Sequence, residues 1–303
     1  MDYRRANRTY LYMILSSLAL TFVIVLWFLT GGGNIPILLN NVISEFMLLI
    51  PAIATVLYSG EKLSTVIPFH GIKISSAFYT LIYIVLLFPL VALVNAFSML
   101  FVDNAISEIS SDIISMPMWT MLLSIGLFGP FVEEVVFRGV ILQSYQRTGK
   151  ILGSIILSSI LFGAMHMNFN QFAYATVMGI MLSLLVEATG SVFASFLAHA
   201  FFNSSEVIMM YVEKDAVKEA ADYLGVATDS AFTPQFFGVL FVIAMITTTI
   251  ALCLVYKISE NEGRNVFFAN IPKSEKKGYQ LVTFPLVVAL VISVSYMVMS
   301  TAL

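Results

Sequence analysis

Apolar residues along this 303-residue chain come in long runs separated by short polar breaks. The runs cover roughly 9–30, 36–58, 76–102, 117–146, 151–167, 170–188, 191–212, 235–257 and 281–302. A helix needs about 18 to 20 such residues to cross a hydrocarbon core of ~30 Å. In lipid the backbone must satisfy its own polar groups, and continuous helices do so. The pattern therefore predicts an all-α fold: a polytopic transmembrane helix bundle of about nine spans, forming one domain over 1–303. The first run follows Arg4, Arg5 and Arg8. It is too long for the core of a signal peptide and lacks a small-x-small cleavage site, so it reads as a retained span.

Composition agrees, with 59% of residues hydrophobic and only 11% charged, against about a quarter charged in soluble domains. The single cysteine, Cys253, excludes an intrachain disulfide or a thiolate cluster. No phosphate-binding glycine loop or basic-aromatic nucleic-acid surface occurs, so nucleic acid is not an expected partner. Placement of charge is more informative than its net value of -3. With the N-terminus cytoplasmic, the inner segments carry Arg4, Arg5, Arg8, Lys62, Lys73, Arg147, Lys150, Lys257, Arg264, Lys273, Lys276 and Lys277, and the outer ones only Lys214 and Lys218. That asymmetry is the one retained on the cytoplasmic side of a membrane, and the plasma membrane is the expected location. Residues 213–234 read as an acidic outer loop with amphipathic helical character, as does the segment holding Asp103, Glu108 and Asp112. Residues 258–280 read as a basic cytoplasmic loop, and Gly31 to Gly33 as a tight outer turn.

A carboxylate in mid-span costs about 2.5–3.5 kcal/mol on insertion scales, so such residues face a cavity or a partner and mark function. Here they cluster. Residues 127–143 read LFGPFVEEVVFRGVILQ. On a helix Glu134 and Arg138 stack as i and i+4, whereas Glu133 points about 100° away. Glu134 is expected to pair with Arg138, which leaves Glu133 without a partner on its own helix. A desolvated, unpaired carboxylate is a group that takes and gives a proton near neutral pH.

His166 lies in FGAMHMNFNQF, one turn after Phe162, whose ring can fix the imidazole; His199 lies in LAHAFFN, one turn before Asn203 on the same face. Spans four and five form a hairpin turning near Gly149, which puts Glu133 and His166 at similar heights, ~24 Å from the turn. His199 is only ~12–15 Å from its own inner helix end, so the heights agree if the hairpin projects into the cytoplasm. Singly, each polar residue reads as interhelical packing. Together they suit a hydrolase: Glu133, assisted by His166, activates a water, while His199 and Asn203 hold the oxyanion and Glu134 with Arg138 supports the site. An alternative makes Glu133, His166 and His199 ligands of a single zinc ion that activates the water, although the spacing is not that of HExxH. The cofactor is thus either none or one zinc ion.

These motifs resemble those of the CPBP, or Abi, family of intramembrane endopeptidases, which includes the CAAX prenyl endopeptidases. The family pattern is EExxxR, FxxxH, then HxxxN or HxxxD on successive helices. This chain has Glu133 and Glu134 with Arg138, Phe162 with His166, and His199 with Asn203, and NQFAYATVMGIMLSLLVEATGSVFASFLAH between them also looks like the family. The resemblance covers about 117–212. It implies an all-helical core of about eight spans and endoproteolysis near the membrane, with the roles given above. Family members are described as metalloproteases and as metal-independent glutamate proteases. The expected partners are a peptide or membrane-protein substrate and the lipid bilayer; cleavage of a prenylated substrate does not follow. A proton-coupled transporter would also place Glu, His and Arg in spans, but no inverted repeat is visible. A non-catalytic scaffold or immunity protein is the third reading. For Glu45 in span two and Glu206 in span seven the plain reading is an interhelical hydrogen bond, with Glu206 able to line the cavity.

Overall fold

The computed structural model describes residues 1–224, 233–271 and 280–302 and is helical throughout its ordered elements. Nine main helices follow in order: α1 Tyr3–Leu29, α2 Ile37–Tyr58, α3 Ile74–Ser98, α4 Met118–Gln146, α5 Ile151–Met165, α6 Phe169–Thr189, α7 Val192–Leu224, α8 Pro234–Asn261 and α9 Phe284–Ala302. Eight of them are long and apolar enough to cross a membrane. The exception is α5, whose 15 residues reach only about 22 Å. The expected nine spans thus become eight and one shorter apolar helix, and the chain is a multi-pass membrane protein.

Several boundaries differ from the apolar runs because helices continue past the lipid-length segment. At its C-terminal end α7 extends to Leu224, into the expected acidic loop, and α8 extends to Asn261. Short helices span Ala105–Ser115 and Asn265–Ala269. Asp229 of the acidic loop and Lys273, Lys276 and Lys277 of the basic loop lie outside the described residues.

The bundle has a centre and two flanks. More than half of the apolar window of α4 and of α6 is buried, 56% in each, against 11% in α1 and 17% in α8, so the first pair is enclosed and the second faces lipid. One cluster of buried residues joins Tyr10, Met13 and Ile14 of α1, Ala52 and Val56 of α2, Val136 and Phe137 of α4, and Leu286 of α9. A second joins Tyr83 and Leu87 of α3, Leu182 of α6, Ala198 of α7 and Val255 of α8. The last two helices are therefore clamps on opposite flanks. Asn7 ties α1 to the start of α9 through Leu281 O at 2.8 Å and Thr283 Oγ1 at 2.9 Å, and accepts from Tyr145 of α4.

Helix α4 is wound unevenly. Leu122–Phe128 and Glu134–Leu142 are π-helical, with an α-helical stretch Gly129–Glu133 between them; such i→i+5 segments recur at functional sites. Pro130 supplies no N–H, so a carbonyl one turn earlier loses its donor. In lipid such a group must be met by a neighbouring helix, and α7 meets it: Asn203 Nδ2 donates to Ile125 O at 3.3 Å and Ser204 Oγ to Gly126 O at 3.5 Å.

Between α5 and α6 close approach depends on Gly163. A Cβ there would lie 2.7 Å from Phe172 O and overlap Thr176. Without a hydrophobic force between helices in lipid, small residues at such contacts let backbones pack closely. Gly163→Ala is expected to destabilise the bundle by about 1–3 kcal/mol, read as a lower midpoint of thermal unfolding in detergent.

Candidate active site

The five residues Phe162, His166, Glu133, Glu134 and His199 come from three helices and meet between α4, α5 and α7. Glu134 and Arg138 are fully buried, and Arg138 Nη1 lies 2.9 Å from Glu134 Oε1. A charge pair removed from water needs further partners to offset desolvation. Arg138 has them: Nη2 donates to Gly179 O of α6 at 3.3 Å, and the guanidinium carbon stands 4.3 Å from the centre of the Phe162 ring of α5.

His199 of α7 stands between the two glutamates. Its Nδ1 is 3.0 Å from Glu134 Oε1, and its Nε2 is 3.5 Å from Glu133 Oε2. An imidazole that donates Nδ1–H to a carboxylate is fixed in tautomer and orientation, with Nε2 directed at the other side. Glu133, Glu134 and His199 differ in access as well as position: the Glu133 side chain is 16% exposed, that of Glu134 is not exposed at all. The partner that Glu133 lacks on its own helix is thus supplied by α7, through His199 Nε2.

His166 closes α5 instead of lying within a span. Its Nδ1 is 3.0 Å from Phe162 O. A carbonyl oxygen only accepts, so Nδ1 carries the hydrogen and Nε2 of the neutral ring is left as the acceptor. Next to it Met167 has φ +53°, a left-handed backbone that costs a non-glycine residue about 1–2 kcal/mol. Asn168 holds this turn by donating to His166 O at 3.0 Å and capping α6 at Gln171 N.

Phe162 is the common support. Its ring meets His166 edge-on at 5.2 Å, His199 at 5.8 Å and Phe137 at 5.2 Å, while Arg138 covers its face. The i, i+4 spacing reveals the contact with His166, but nothing local in the sequence reveals those with Arg138 and His199. Phe162→Leu is expected to cost about 1–2 kcal/mol of stability, checked by thermal unfolding in detergent.

Asn203 lies one turn beyond His199, and one of its amide hydrogens is committed to Ile125 O; the second remains for a ligand. A zinc ion needs three or four donors converging at about 2.0–2.3 Å. Among the described residues no three His, Cys, Asp or Glu side chains converge in this way, and both nitrogens of His199 face separate carboxylates. The zinc set of Glu133, His166 and His199 does not fit this arrangement. A cavity of about 740 Å³ lies elsewhere, lined by Gln143, Gln146, Glu187 and Arg264 near the α4–α5 turn. Gln143 is ten residues, about 15 Å, along α4 from Glu133, so that cavity is separate from the cluster.

The model of the family described as "Type II CAAX prenyl endopeptidase Rce1-like" matches residues 115–205, the stretch that carries all of these side chains. That match falls on the same stretch as the CPBP resemblance of the sequence. The chain is also similar to the Bacillus subtilis protein named "Putative membrane peptidase YdiL", with 30% identity over 90 residues, covering 29% of this chain and 36% of that protein. The match thus spans about a third of the length of each. No solved structure matches the chain. The matched stretch coincides with helices α4 to α7, whereas α1, α2, α3, α8 and α9 form its surround.

Proposed function

We propose that the chain is an intramembrane endopeptidase that hydrolyses a peptide bond of a membrane-associated peptide or protein by water attack. The observation that carries this reading is the line Glu133, His199, Glu134, Arg138, in which negative and positive or protonatable groups alternate within 3.5 Å of one another. A buried pair at one end fixes the imidazole, and the more accessible carboxylate at the other end remains available for proton transfer. The family match over the same residues supports the reaction class.

In the proposed step Glu133 takes a proton from water as the water oxygen bonds to the scissile carbonyl carbon. The resulting oxyanion is held by Nε2–H of protonated His199 and by the free amide hydrogen of Asn203. His166 presents Nε2 toward the same water from α5. Collapse breaks the carbon–nitrogen bond, and the proton on Glu133 passes to the leaving nitrogen. Glu134 and Arg138 do not react; they hold His199. The excess of Lys and Arg in the segments read as inner supports an orientation with the N-terminus and the α4–α5 turn cytoplasmic, in the plasma membrane.

Comparing membrane-associated peptides from cells that carry the wild-type chain or Glu133→Gln tests this function. Fragments with new termini are expected only with the wild type. Proton or solute flux in liposomes that depends on Glu133, with no such fragment, would overturn the reading in favour of transport.

A further inference from the structure

We propose that Glu45 of α2 is a positioning residue for Glu133, the two carboxyls forming a pair that holds one proton between them. The proposal rests on the reading of Glu133 as the reacting carboxylate and extends it to a helix outside the matched family core.

Glu45 is buried in the α2–α4 contact, and its Oε2 has no hydrogen-bond partner, so the plain reading of a satisfied interhelical hydrogen bond does not hold for that atom. Its Oε1 occupies space that a side chain on α4 would fill, since a Cβ on Gly129 would lie 3.3 Å from it. Gly129 and Glu133 are i and i+4 on the α-helical stretch of α4, on one face and about 6 Å apart along the axis. The Glu45 carboxyl therefore stands against the face of α4 that also carries Glu133. One turn earlier Asn41 Nδ2 donates to Ser124 Oγ at 2.7 Å, which fixes the register of α2 so that Glu45 faces Gly129.

Two carboxylates in one water-poor site do not both stay ionised, because each negative charge opposes the other and neither is hydrated. Among the described residues no ion pair reaches Glu45. From α7 Glu133 meets His199, with Glu206 further along; Tyr174 of α6 interacts electrostatically with Glu133; from α5 His166 lies against Phe162, which in turn packs on His199; and along α4 stand Glu134 and Arg138, which neutralise each other. Helix α1, which also packs on α2, has no titratable residue between Tyr12 and its end at Leu29. A proton on Glu45 leaves Glu133 as the one ionised carboxylate facing His199, which is the state water activation requires. Glu45 thereby acts through Glu133 and need not touch substrate.

Infrared titration of the full-length protein in lipid nanodiscs tests the pair without any substrate. The wild type is expected to show the carbonyl band of a neutral carboxylic acid at neutral pH. Glu45→Gln should remove that band and Glu45→Asp restore it. In Glu133→Gln, with Glu45 intact, the band should remain and its titration midpoint move by about one pH unit or more. A band that survives Glu45→Gln, or a midpoint unmoved in Glu133→Gln, overturns the proposal. The second arm decides even if the Glu45 variants fail to fold. Because neither arm uses cleavage, a failed pair leaves the peptidase reading standing, and an inactive wild type leaves the pair standing.

Discussion

Glu133→Gln is expected to lower kcat/KM for peptide cleavage by about 10²–10⁴-fold, the range for loss of a positioned general base. The amide keeps the size and shape of the carboxylate but cannot accept the proton of the attacking water. Folding should not suffer, since a partly buried negative charge is replaced by a neutral group, and active sites are places where stability is given up for function. Thermal unfolding in detergent should therefore give a midpoint equal to or above that of the wild type, while cleavage in proteoliposomes is lost. Undiminished cleavage by Glu133→Gln would remove the base from the scheme, and a collapse of the midpoint would make Glu133 a structural residue.

Arg138→Met is expected to be the most destabilising change in the cluster, by about 3–5 kcal/mol, because it leaves Glu134 charged and buried without its counterion. Three helices converge on that guanidinium, through Glu134, Phe162 and Gly179 O, so the loss is of packing as well as charge. The double variant Glu134→Gln with Arg138→Met removes both charges, and most of the stability should return. Activity should not return, because Nδ1 of His199 no longer has a carboxylate 3.0 Å away to hold its orientation. Stability measured by thermal unfolding and kcat measured on the same samples separate these effects. A double variant that is both stable and active would show that the pair is only a tether.

Much of this arrangement is legible along the chain because membranes impose few solutions. Apolar runs of spanning length identify the helices, since lipid leaves the backbone no partner outside its own segment. Short-range spacing shows that Glu134 can reach Arg138 and that Phe162 can reach His166, because i and i+4 share a helix face. Spacing is less informative where the helix changes its winding or its end. Gly129–Glu133 and Glu134–Leu142 wind differently, and His166 proves to close α5 at a left-handed turn, which the continuous apolar run through residue 167 does not reveal. The length of α5 is likewise obscured, because composition does not distinguish a helix that crosses lipid from one packed among neighbours.

The sequence by itself determined a multi-pass helical protein, the residues that carry charge into its interior, and the pairing within α4. Only the tertiary structure decided that His199 bridges Glu133 and Glu134, that Phe162 supports both histidines and Arg138, that Asn203 also repairs the backbone opened by Pro130, and that Glu45 faces the same side of α4 as Glu133. The reason is distance along the chain. Contacts within one turn follow from helical geometry, whereas α2, α4, α5 and α7 are brought together by which faces pack, and that is set by side-chain shape across the whole bundle.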